Sequence, residues 1–367
     1  MDVRLSPSGE RRGKKKQRQE AQPRLYRKHQ DILQKVLDTS GRTRLDWFKT
    51  FLELPNGIPS HDTFNRVFSA LDPYAFLDCF TLWVQGICPT LNDEVVAIDG
   101  KALRRALNAG ESVPCIVSAW AAENGLVLGQ VKVNDKSNEI TAIPELLRVL
   151  LLKGCIVTID AIGCQKDIAA NIIGQHADYV LALKGNQATV HDEVRDFFED
   201  AVAPCATECA DTADRAKMDF HQSIDKGHGR IETRRYWQST DIAWFQDKEL
   251  WNGLRSFGMV ESIRQEKGKR TIERRLYLSS LPLDAKRFAR AVRKHWGVEN
   301  SLHWSLDVTF REDDSRARTK NAAQNLASLR RITLNLLKKD RTKKCSLRSK
   351  RFLASIDPGF LKFLLGV

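Results

Sequence analysis

No apolar run in this 367-residue chain approaches the roughly 18–20 residues that a membrane-spanning helix needs. The longest candidate, ELLRVLLLKGCIVTI, is interrupted by Arg148 and Lys153. The first residues are polar and basic and lack the apolar stretch of a secretory signal, so neither a membrane protein nor an exported one is expected. Closely spaced cysteines are also scarce. Of eight, only Cys205 and Cys209 are near neighbours, and no second Cys or His pair at finger spacing accompanies them, which argues against a zinc module. Cys115, Cys155 and Cys164 lie in or beside apolar segments, where the thiol acts as a small buried group. The expected compartment is a reducing cytoplasm. There is no G-x-x-x-x-G-K-[ST] loop to suggest ATP hydrolysis and no internal repeat.

What the chain has in excess is positive charge. The 59 Lys and Arg outnumber 46 Asp and Glu, for a net +13. Residues 1–44 hold 13 basic against 5 acidic side chains, and residues 338–351 hold 8 against 1. The body between and around them is close to neutral. Basic ends of this kind attract polyanions, nucleic acid above all, although a merely solvated tail has the same composition.

The texture along the chain divides it into parts. Residues 1–44 read as a basic, disordered head. Residues 45–92 carry helical periodicity, with Ser60 placed to cap a helix and PNGIPS as a turn. From residue 93 to 200 three β-branched runs (VVAID, CIVSAWAA, LVLGQVKV) precede alternating helix and strand. This pattern describes an α/β layer with a mixed sheet. Residues 201–283 read as a mainly β insertion, helices return over 284–340, and a basic segment occupies 341–367.

Two carboxylates stand out. Asp99 ends the apolar run VVAID and Asp160 ends VTID. In an open α/β sheet, ligand-binding groups collect where strands end, so neighbouring strands would bring both acids into one crevice. Two carboxylates suit Mg²⁺, and a third would complete a two-metal site. Asp99-Gly100 is equally a hairpin-turn signal, and a strand-terminal Asp is often a helix cap. For a third acid, RKHWGVENSLHW places His295, Glu299 and His303 four residues apart, on one face of a continuing helix. A transition-metal set lacks supporting ligands there, and a surface Glu between inward-packed Trp296 and Trp304 is the plainer alternative. Rivals to Glu299 are Asp307, Glu312, Asp313 and Asp314, of which the last three suit a solvated loop after a β-like LDVTF run. In KGHGRIETRR, Lys226, His228, Arg230, Arg234 and Arg235 gather around two glycines, either to grip phosphates or to form a salt-bridge ladder. Lys184-Gly185-Asn186 forms a turn that could approach a phosphate.

Taken together, VVAIDGKALRRA, KSNEITAIPELL, CIVTIDAIGCQKDIA, DYVLALKGNQ, KGHGRIETRR and VRKHWGVENSLHWSLDVTFREDDSRART closely resemble the bacterial insertion-sequence transposases of the ISAs type. That group includes the H-repeat-associated proteins and belongs to the DDE transposases. The resemblance extends from about Leu45 to about Arg351. It implies an RNase H-like core with a β insertion before the last acid, and a catalytic, metal-binding triad of Asp99, Asp160 and Glu299. It further implies Mg²⁺, with Mn²⁺ as a substitute and two ions in the site. The partner is DNA, both element ends and target, gripped by Lys184, Lys226, His228, Arg230, Arg234, Arg293, His295 and His303. A homodimer on DNA and a cytoplasmic, nucleoid-associated location complete the expectation. Two departures stand out. His295, Val292 and Leu306 replace the arginine, tyrosine and lysine of the signature around the glutamate, and residues 1–41 are basic where relatives carry an apolar helical segment. A DNA-binding copy without catalysis is therefore the alternative.

Overall fold

The computed structural model describes residues 44–88, 91–106, 113–133, 138–202, 217–227 and 229–367. Most of the basic head, His228, Cys205 and Cys209 lie outside the described residues.

Three helices come first: α1 (Leu45–Phe48), α2 (His61–Ala70) and α3 (Pro73–Ile87). Ser60 caps α2 by accepting the Thr63 N–H. Asp72 caps α3 ahead of a proline at its first position, where a missing N–H costs nothing. No single helix among the described residues is long and apolar enough to cross a membrane.

Three antiparallel strands follow: β1 (Val95–Ala102), β2 (Cys115–Ala121) and β3 (Leu126–Lys132). The chain then alternates through α4 (Glu139–Val149), β4 (Ile156–Ile159), α5 (Lys166–Gly174), β5 (Asp178–Leu183) and α6 (Ala188–Ala201). β4 and β5 run parallel to β1, and their apolar residues are buried on both faces, as covered parallel strands require. The β-rich stretch supplies four long strands: β6 (Met218–Gly227), β7 (Arg230–Ser239), β8 (Ser256–Glu266) and β9 (Lys269–Ser279). They extend the same sheet, because β9 pairs antiparallel with β5, and the full order is β3-β2-β1-β4-β5-β9-β8-β7-β6.

Alternation along the strands sends side chains to two cores. On one face Val96, Ile98, Val157, Ile159 and Leu181 meet Leu146 and Leu147 of α4 and Ile168 and Ile172 of α5. On the other, Val95, Ile156, Val180, Tyr236 and Tyr277 lie under α7 (Ala285–His295), through Phe288, Ala289 and Val292. Gly258 makes that docking close, because a Cβ there would stand 2.3 Å from the Phe288 ring.

After α7 the chain widens into a π-helical segment, Val298–His303, and returns to α8 (Trp304–Val308). LDVTF is thus largely helical, contrary to the β-like reading, because Leu306 sinks into the core while Val308 stays exposed. A long helix α9 (Ala322–Lys339) covers β3, and a pair, α10 (Leu347–Ile356) and α11 (Pro358–Leu365), ends the chain. Asn325 of α9 donates to the carbonyls of Phe68 and Leu71, which ties α2 to the body of the fold.

Candidate active site

The parallel pairing of β1 with β4 matches Ile98 to Ile159, so the next residues, Asp99 and Asp160, stand side by side at the same edge of the sheet. Asp99 does not end its strand. β1 continues to Ala102, and Asp99 pairs with Ser118 of β2, because β2 outruns β4 and keeps that side of β1 hydrogen-bonded. Its Oδ1 accepts the Gly100 N–H at 2.9 Å. Asp160 does follow the last residue of β4, where its Oδ1 accepts the Ala161 N–H at 2.9 Å and starts a short turn. By strand alternation both acids share the face that α7 covers.

Glu299 comes onto this face from the π-segment, in which the Trp304 N–H bonds to the Glu299 carbonyl five residues back. Residues four apart on an α-helix drift by about 40° around the axis, and a wider turn offsets that drift. His295, Glu299 and His303 therefore stay over the acids. His295 Nδ1 lies 3.0 Å from the Thr158 hydroxyl, and His303 Nδ1 lies 3.7 Å from Asp99 Oδ2. Trp304 does not pack inward as expected. It is 56% exposed, because the added π residue rotates it away from the sheet. Trp296 is half-buried, with the Arg275 guanidinium over its ring.

The electrostatics of the cluster are uneven. Burial raises the Asp99 carboxyl to about 7, against the pull of the Gly100 N–H, and the negative charges of Glu139, Asp160 and Glu299 add to the rise. Burial holds His303 down to about 3, helped by the Arg331 and Lys101 charges, and burial lowers His295 as well. Both imidazoles are neutral at pH 7 and face the protein, not solvent. Lys184 stands beside the site, with Nζ 3.6 Å from Asp160 Oδ1.

Glu139 and Lys101 were not singled out from the sequence. Glu139 opens α4 directly after the Asn138 cap, and the signal available was an acid in the first turn of the helix that follows β3. Lys101 is buried two residues beyond Asp99, bonding Asp307 at 2.8 Å and Asp313 at 3.2 Å. These bonds engage two of the rival acids. A third rival, Glu312, is not on a solvated loop. It is 1% exposed and bonds the wholly buried Arg331 at 3.0 Å, because α9 brings that cation under the turn. Asp314 pairs with Arg311 and Arg105.

The Arg-rich strand divides in two. Arg234 is nearly buried between Asp225 and Glu232, so its fork serves the sheet as a ladder and is not presented outward. Lys226 and Arg230 are exposed near the β6–β7 tip, and Arg293 is half-exposed, 3.7 Å from Asp225.

Oxygen donors of this type suit a hard divalent cation, and the negative charges of Glu139, Asp160 and Glu299, which add to the effect of burial at Asp99, are ones that a cation would offset. Among the described residues, no three His, Cys, Asp or Glu side chains have closed to ion-ligating distance.

The protein is a mixed α/β fold with paired strand-edge aspartates and a helix-borne glutamate at one edge of its sheet, and comparison with known proteins gives the family. The Transposase DDE domain matches residues 91–336, and the companion domain described as DDE_Tnp_1-associated matches residues 31–84. "Putative transposase YncI" of Escherichia coli O157:H7 is 41% identical over 335 residues, covering 90% of this chain and 83% of that protein. "H repeat-associated putative transposase YhhI" of E. coli K12 is 38% identical, covering 90% of this chain and 86% of that protein. The chain belongs to the DDE transposases of insertion sequences, in the group of the H-repeat-associated proteins.

Proposed function

We propose that this transposase binds the terminal repeats of its element, cleaves a phosphodiester bond there and transfers the freed 3′ end to target DNA. The observation that carries the reading is the register of β1 against β4, which sets Asp99 beside Asp160 with Glu299 above them. The order β3-β2-β1-β4-β5, three antiparallel strands continued by two parallel ones, supports an RNase H-like core.

Asp99, Asp160 and Glu299 would hold Mg²⁺, or Mn²⁺ in its place, in a two-ion site. When bound, such ions acidify an attacking water and offset charge on the leaving oxygen. The water oxygen forms a bond to phosphorus as the P–O3′ bond breaks, leaving a 3′ hydroxyl and a 5′ phosphate. That hydroxyl then attacks a target phosphate in the same way. The chain's own part is placement. Neutral His295 and His303 fill the space behind the acids, and Lys101 ties β1 to the turn after α8.

The β6–β9 ribbon supports contact with DNA. β9 meets β5 only from Leu276 to Ser279, so Lys269–Arg275 overhang the edge that carries Asp160 and Lys184, by about 23 Å. Residues 221–236 and 260–275 of this ribbon hold ten Lys or Arg against five Asp or Glu. Lys184, Lys226, Arg230 and Arg293, which are exposed or partly exposed, would neutralise backbone phosphates. Two element ends need two such sites, which a homodimer supplies.

Incubating the protein with its own end-repeat DNA and Mg²⁺ tests the reading. Wild type nicks the repeat end, whereas Asp160→Asn and Glu299→Gln bind it without nicking. Nicking by either variant, or none by wild type at full DNA occupancy, refutes it, and the second result would point to a binding copy without catalysis.

A further inference from the structure

We infer that Glu139 is a fourth carboxylate of the active site, sharing with Asp99 the divalent cation nearest β1. The inference rests on the ion-site reading above and adds to it a residue outside the three acids of the family name.

The geometry begins at Gly100. A Cβ built there would stand 2.1 Å from Glu139 Oε1 and 2.5 Å from its carboxyl carbon. The Glu139 carboxylate therefore lies on the β1 backbone one residue from Asp99 but on the α4 face of the sheet, opposite the face to which Asp99 projects, in space open only because residue 100 is glycine. Asn138 caps α4 through the Ile140 N–H and so sets the helix start that aims Glu139 at this point. The bond that Glu139 accepts from the Cys115 thiol is 3.4 Å long and comes from a weak donor. A carboxylate has about four acceptor positions, so most of this one's capacity is unspent. Mg²⁺ and Mn²⁺ take oxygen ligands, and beyond Ile159, where β4 stops pairing with β1, an ion at the open strand edge can be reached by Asp99 from one face and by Glu139 from the other. A purely structural role also exists, since an acid in the first turn complements the helix dipole. That role predicts an effect on stability and none on cation affinity.

The experiment measures Mn²⁺ binding to the full chain by electron paramagnetic resonance titration, with thermal melting of the metal-free protein alongside. Glu139→Gln is expected to weaken Mn²⁺ binding at least tenfold while the metal-free melting temperature barely changes. Gly100→Ala, whose Cβ displaces the same carboxylate, is expected to weaken it comparably. Asp99→Asn and Asp160→Asn serve as references. If both references bind Mn²⁺ as wild type does, the ion site itself is wrong. If both lose the ion while Glu139→Gln keeps it, only the role of Glu139 is refuted. Should Glu139→Gln fail to fold, Glu139→Asp decides, because it keeps the charge and shortens the reach: unchanged affinity overturns the inference, and weakened affinity with unchanged melting upholds it.

Discussion

Glu312→Gln should unfold this protein more readily without touching its chemistry, and the size of the effect follows from burial. Glu312 and Arg331 have no exposed side-chain surface and lie 3.0 Å apart, and Arg330 reaches within 3.9 Å of the same carboxylate oxygen. Arg331 also donates to Ser118 Oγ and the Ala327 carbonyl, so the pair joins α9, β2 and the turn after α8. Removing the negative partner leaves the Arg331 charge inside the protein uncompensated, which costs about 3–5 kcal/mol. A chain of 367 residues loses about 1.3 °C of melting temperature per kcal/mol, so the drop is roughly 4–7 °C. Glu299→Gln alters an exposed side chain and should change stability by less than about 0.5 kcal/mol. Differential scanning fluorimetry and end-repeat nicking at matched DNA occupancy separate the two. Glu312→Gln melts early but nicks at low temperature, while Glu299→Gln melts normally and does not nick. The Glu312→Gln/Arg331→Met double variant should recover part of the loss, since neither charge is then stranded. A Glu312→Gln protein that melts like wild type would refute the buried pair.

A carboxyl raised to about 7 stays protonated in the folded state after the unfolded chain has lost its proton, so Asp99 costs the metal-free protein stability as pH rises from about 4 to 7. Asp99→Asn should therefore stabilise the metal-free protein at pH 8, by about 4 kcal/mol, and not at pH 4. Melting curves at the two pH values check this, and equal shifts at both would contradict the sign. Arg230→Met should weaken DNA binding and change melting little, whereas Arg234→Met should chiefly lower the melting temperature, because Asp225 and Glu232 lose the nearly buried cation between them. Deleting residues 1–27, which hold nine Lys or Arg, should flatten the salt dependence of nonspecific DNA binding without altering sequence preference. An unchanged slope in a filter-binding titration would show that the head does not touch DNA.

Much of the scaffold was legible before any coordinates. Ser60 caps its helix because a short polar side chain ahead of an apolar period has one good use there. VVAID and VTID are strands because four or more apolar, β-branched residues in a row bury best between two helical layers. An aspartate after each such run is a local pattern, visible in a handful of residues. Which of the other acids joins them is not local. Glu139 reaches the site only because α4 docks its first turn on Gly100, and Glu312 is buried only because α9 returns Arg331 from nineteen residues further on. The π-turn at Glu299 and the outward Trp304 likewise depend on how α7 and α8 settle on the sheet. Propensity and periodicity act within one element and so are written in its sequence. Strand order, helix docking and the pairing of buried charges arise from many weak contacts between distant segments, and only the tertiary structure decides those.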